Sequence, residues 1–98
     1  MGFVQMIELN TSKADELIAL DREWEQATEG KRTVRRSVLT RDRNDPQRYL
    51  VVVFFDSYES AMENSNLPET AAFAEKMMGL VDGRTTYHNL DVLDDKTY

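Results

Sequence analysis

The sequence contains no cysteine, one histidine, one tryptophan, two prolines and four glycines in 98 residues. Without cysteine there is no disulfide framework, no thiolate nucleophile and no Cys-ligated zinc or iron–sulfur site. With His88 alone, a multi-His metal site within one chain is excluded as well. The longest strongly apolar run, Leu50 to Phe55, is far short of the roughly 20 residues a membrane span requires. The apolar start, Met1 to Leu9, carries Glu8 and has no basic region before it, which does not suit a secretion signal. P-loop and Rossmann glycine patterns are missing, and Ser57 and Ser60 have no Asp/His constellation beside them. The expectation is a cytoplasmic domain that binds neither metal nor cofactor and does not associate with membranes.

What is present is ordinary globular material: 41% apolar and 31% charged residues, with a net charge of -6. One domain spanning 1–98 is expected, with its core over residues 3–93 and a polar tail at 94–98. A chain of this size buries roughly two-thirds of its unfolded surface, enough for a single modest core. Charge is uneven along it. Lys31, Arg32, Arg35, Arg36, Arg41, Arg43 and Arg48 are opposed locally by only Asp42 and Asp45. No aromatic RNA-binding signature accompanies this basic stretch, so it reads as a solvated hairpin paired with acidic helices, not a nucleic-acid surface.

Hydrophobic periodicity gives the elements. Phe3 to Leu9 reads as a strand with apolar residues on both faces. Ser12 and Asp15 resemble a capping box at the start of a helix whose stripe is Leu17, Leu20, Trp24 and Ala27, ending near Gly30. A strand over Thr33 to Arg41, the Asn44-Asp45-Pro46 turn and a strand over Tyr49 to Phe55 form a hairpin. A short helix from Tyr58 to Asn64 breaks at Asn66-Leu67-Pro68, with Pro68 at the first position of a second helical piece. Phe73, Met77, Leu80 and Val81 form its stripe. Asp82-Gly83 ends it, and Arg84 to Leu93 reads as the last strand.

The order is β-α-β-β-α-β, an α+β, ferredoxin-like arrangement with a four-stranded antiparallel sheet. Right-handed crossovers put both helical segments on one sheet face. The third strand is apolar on both faces, so the opposite face would be exposed in a monomer beyond the few hundred Å² that is usual. A homodimer stacked through this sheet face is expected.

The chain resembles the dimeric α/β-barrel proteins, and among them the antibiotic-biosynthesis-monooxygenase-like group. The stretches that carry the resemblance are Gly30 to Arg41, Leu50 to Ala61 with its aromatic-x-Ser-x-Glu-x-Ala helix start, and Leu67-Pro68-Glu69-Thr70 leading to Phe73. The resemblance implies a pocket between helices and sheet in each subunit, and an oxygenase that acts on a phenolic or quinol-type substrate without metal or flavin. Other members of the group cleave haem, isomerise small lactones or have no known reaction. The haem-degrading branch needs an axial histidine on the split helix and a tryptophan just after the third strand. Here that helix has no histidine and Phe55 stands at the tryptophan position, which disfavours haem. Where many relatives carry a histidine, this chain has Asn64 or Ser65.

The candidate residues follow. His88 is the one side chain that titrates naturally near neutrality, a base if it faces the pocket and a seam residue if not; alternation groups it with Thr86, Leu90 and Val92 without saying which face is inside. Asn64 is a donor to developing oxyanion charge or a helix cap, and Asn66 beside it a substrate contact or a cap. Trp24 is core or the wall of a pocket for a flat ligand. Arg36, on a face with Val34 and Val38, pairs with a carboxylate or awaits an anion. Asn10 is a turn residue or a substrate contact. The reading is a cofactor-independent monooxygenase for a small aromatic substrate; the alternative is a non-catalytic binder of a small apolar molecule.

Overall fold

The computed structural model describes residues 2–98. The chain forms β1 (Phe3–Asn10), α1 (Ala14–Ala27), β2 (Arg36–Arg41), β3 (Arg48–Phe55), α2 (Tyr58–Ser65), α3 (Pro68–Met78) and β4 (Thr86–Asp91). The strands make one four-stranded sheet in the order β2-β3-β1-β4, every pairing antiparallel. This is the expected ferredoxin-like arrangement, with the split helix as two elements.

Local chemistry accounts for most boundaries. Pro68 occupies the first turn of α3, where its missing N–H costs nothing. Gly30 and Gly83 take positive φ, +79° and +81°, at the turns leaving α1 and α3. The capping box expected at Ser12 does not form. Lys13 is the N-cap of α1 without a side-chain cap, and the neighbouring Thr11 does the satisfying instead. Its Oγ1 accepts the Lys13 N–H at 2.9 Å and donates to the Leu80 carbonyl at 2.6 Å. A reciprocal box closes α2, where Ser57 Oγ accepts from Ser60 N at 3.0 Å and Ser60 Oγ accepts from Ser57 N at 3.1 Å.

Register fixes the two faces. Ile7 lies between Val51 and Tyr87, and Leu39 opposite Val51, placing these side chains under the helices. Here Leu9, Leu17, Leu20, Tyr49 and Met77 form the main core, and Phe3, Phe55 and Ala61 a second cluster. Alternate residues form the other face: Val4 against Phe54 and Leu90, Met6 against Val52 and His88, and Val38 against Val52. No helix among the described residues is long and apolar enough to cross a membrane.

Candidate functional site

The helices cover the inner sheet face without filling the space beneath them. A cavity of about 490 Å³ lies between α1, α2, α3 and the sheet, within the roughly 300–1,000 Å³ range of small-molecule sites. The sheet supplies Ile7, Leu9, Val51, Val53 and Phe55 as its floor, and α3 supplies Phe73, Ala74 and Met77. From α1 come Leu17, Ile18, Asp21 and Trp24, whose spacing places them along one side of the helix. Leu39 and Tyr87, both part-exposed, line it from β2 and β4.

Trp24 lines the cavity. Its indole N–H donates to Thr70 Oγ1 at 3.0 Å, and its ring meets Phe73 with centroids 6.2 Å apart at 54°. The hydrogen bond satisfies the buried polar end and fixes the ring plane. Asn64 is buried on the same wall. Its Oδ1 accepts the Thr33 backbone N–H at 3.4 Å, tying α2 to the entry of β2. Among the described residues nothing accepts from its Nδ2, which leaves the amide as a donor for a ligand.

The other sequence candidates are elsewhere. His88 belongs to the outer face: it is paired with Met6 in the sheet, and its Nε2 lies 3.6 Å from Glu8 Oε2. Tyr87, its neighbour in sequence, is the residue that looks inward, because strand side chains alternate. His88 is therefore not placed to act as a base on a ligand in this cavity. Arg36 is also an outer-face residue, exposed, with its guanidinium 5.5 Å from the centre of the Phe54 ring. Among the described residues no carboxylate pairs with it, the first of the two roles expected for it; the ring contact stands there instead. Asn10 ends β1 on the exposed side, where its carbonyl accepts from Asp82 N at 2.7 Å. Asn66 is exposed as the C-cap of α2, its N–H bonded to the Met62 and Glu63 carbonyls. Neither lines the cavity.

Two ionisable residues on the wall were not singled out from the sequence. Asp21 sits at the α1 rim of the cavity, where its side chain is exposed to solvent. Partial burial, with Glu25 one turn along, pushes its carboxyl above the ordinary carboxylate range. Burial likewise pushes the Tyr87 phenol up. The signal for Asp21 was its place, four residues after Leu17 and three before Trp24, on the apolar stripe. Among the described residues no cluster of three or more His, Asp or Glu side chains could hold a metal ion.

No family model matches the sequence, and no curated protein matches it significantly. Solved structures do. The cofactor-independent oxygenase SnoaB from Streptomyces nogalater superimposes with a TM-score of 0.80 at 9% identity, covering 96% of this chain and 95% of that one. A Caulobacter crescentus protein provisionally named an antibiotic biosynthesis monooxygenase gives 0.82 at 16% identity, covering 95% and 91%. Rv0793 from Mycobacterium tuberculosis gives 0.80 at 13% identity, covering 99% and 100%. The chain shares their fold. That fold is built here from a sequence sharing fewer than one residue in five with these neighbours.

Proposed function

We propose that this protein is a cofactor-independent oxygenase for a small, flat aromatic substrate of phenol or quinol type, working as a homodimer stacked through the outer sheet face. The observation that carries the reading is the cavity: an apolar slot walled by Trp24 and Phe73, with the NH₂ of the Asn64 amide unengaged at its side while its oxygen holds Thr33. Such a substrate, once deprotonated, supplies its own electrons to dioxygen. The ring is oxidised to the quinone level: one oxygen atom replaces hydrogen on a ring carbon as a new C=O, the O–O bond breaks, and the other atom leaves as water with the two hydrogens the substrate has lost. The chain then has to hold the ring, exclude bulk water and stabilise the anion. Trp24 and Phe73 serve the first two needs, and an amide donor at Asn64 the third. The fold shared with SnoaB supports this reading.

The dimer part rests on the outer face. Val4, Met6, Val38, Leu50, Val52, Phe54 and Leu90 share it, an apolar surface that no element of the same chain covers. A second copy stacked there removes it from water.

Oxygen consumption with a panel of hydroquinones and anthrones, measured above background autoxidation, tests the activity. Uptake that saturates with substrate and depends on Asn64 supports it. A second reading, a non-catalytic binder, follows from the same cavity. It gives saturable quenching of Trp24 fluorescence by an apolar ligand with no uptake.

A further inference from the structure

The wall of the cavity carries one formal charge, and it is negative. Among the described residues no lysine, arginine or histidine lines the space, and Asp21 is its sole ionic side chain. Nor, among them, does Asp21 form an ion pair: the charged pairs that α1 and α3 make are Lys76 with Glu23 at 3.1 Å and Lys31 with Glu69 at 3.3 Å. The elements facing it add no opposing charge. From α3 the cavity receives Thr70, Phe73 and Met77, and from β2 Ser37 and Leu39. From β4 it receives Tyr87, the other titratable group on the wall, while β1 and β3 contribute uncharged side chains. On α1 itself, Glu25 adds a second negative charge one turn away.

A carboxylate set against an apolar slot without a partner is an acceptor looking for a proton donor. We propose that Asp21 is the proton acceptor of this site and sets its ligand class: a neutral flat aromatic with an acidic hydroxyl is admitted, and an anionic counterpart is turned away. The inference rests on the cavity reading above. In the transfer the ligand O–H bond breaks, its electron pair stays on the ligand oxygen, and the proton forms an O–H bond with an Asp21 carboxyl oxygen. Nothing is oxidised or reduced in this step. The site holds one negative charge before and after, so no pair of like charges is created. A ligand that arrives as a carboxylate would instead face Asp21 with charge against charge, and no cation on the wall relieves it. Burial and Glu25 favour the protonated carboxyl, the direction that suits a group that must hold a proton near neutrality.

Calorimetric titration with 2-naphthol and 2-naphthoate tests this, because the two share a ring system and differ in charge. Wild-type protein near neutral pH is expected to bind 2-naphthol at least about tenfold more tightly, and Asp21→Asn to narrow the ratio to within about threefold, chiefly through tighter naphthoate binding. In the wild type, naphthoate affinity should climb as falling pH protonates Asp21, which then no longer repels it, and in Asp21→Asn this rise should be missing. Equal binding of both probes by wild-type protein, or a preference that survives Asp21→Asn, overturns the role of Asp21 and leaves the cavity reading standing. Failure of wild-type protein to bind either probe overturns both. Should the variant not fold, the wild-type pH series decides alone, a flat profile counting against the proposal.

Discussion

The two faces of the sheet are built from neighbouring residues and have opposite fates. The inner face, with Ile7, Val51 and Val53, is roofed by helices yet keeps a cavity. The outer face, with Met6, Val52 and Phe54, has no roof within the chain, and it gathers the ionic side chains. Glu8 meets Arg48 at 3.1 Å and His88 at 3.6 Å, and Arg48 reaches Asp42 at 3.0 Å. In the dimer proposed above, this polar strip on an apolar face would set how a second copy docks, because a wrong register buries charged groups against apolar ones. On the inner face a lone carboxylate is left without a pair. Apolar content cannot tell an interface from a pocket; the placing of the few charges does.

The sharpest way to break this comparison is one residue wide. Val52→Asp places an unpaired charge on the outer face, a cost of several kcal/mol in a dimer interface. Sedimentation equilibrium should show wild type at about twice the 11.4 kDa chain mass and the variant near the single-chain mass. Val51→Asp, its neighbour, points into the cavity and should leave the mass unchanged while abolishing ligand binding. A monomeric wild type, or two variants behaving alike, would remove the distinction between the faces.

Packing gives the next largest effect. Phe3 is 3% exposed in the second core cluster and lies outside the cavity lining, and Phe3→Ala should lower stability in urea unfolding by about 3–5 kcal/mol. Val53→Ala, on the cavity floor, should cost only about 1–2 kcal/mol, because the lost methyl groups already border empty space.

Asn64→Ala strips the acceptor from the Thr33 N–H, a loss of about 1–3 kcal/mol. If the amide also meets developing oxyanion charge, oxygen uptake with a reactive quinol should fall by about 10²–10³. His88→Ala should leave uptake within about twofold of wild type, against the roughly 10²–10⁴ that removal of a general base costs. A large loss from His88→Ala would return catalysis to the outer face.

The smallest effects lie in pH dependence, and they have opposite signs. Asp42 is held below the ordinary carboxylate range, first by the Asn44 backbone N–H and then by Arg48, and Asp56 by its hydrogen bonds from Arg35. What they contribute is present above the unfolded carboxylate pKa and is lost as pH falls through their lowered values. Asp21, raised, does the reverse: the folded state gains as pH falls through its pKa toward the unfolded value. Thermal unfolding should therefore find Asp21→Asn more stable than wild type at neutral pH, the difference shrinking on acidification. A wider gap in acid would contradict the sign.

Much of the fold was legible because turns and caps are local. Pro68 at a helix start, the Asn44-Asp45-Pro46 turn and the glycines beyond the helices act within a few residues. The sidedness of the strands was not legible. Tyr49 to Phe55 is apolar throughout, so alternation carries no information there, and His88 could belong to either face until Ile7 was seen opposite Tyr87. Thr11 was passed over for Ser12 because its partner, the Leu80 carbonyl, is 69 residues away. Asp21 stands among Arg22, Glu23 and Glu25, and so reads as part of a solvated helix surface. Only the packing of the helices on the sheet brings it to the rim of the cavity.

Thr11 also bears on which parts of the molecule can open. Its N–H bonds to the Gln47 carbonyl at 2.9 Å, while its hydroxyl joins the α1 entry to Leu80, and Asp82 N reaches the Asn10 carbonyl close by. Three chain connections are knotted at one end of the sheet around a residue 1% exposed. Amides there should exchange with deuterium as slowly as those of a strand, although they lie in loops.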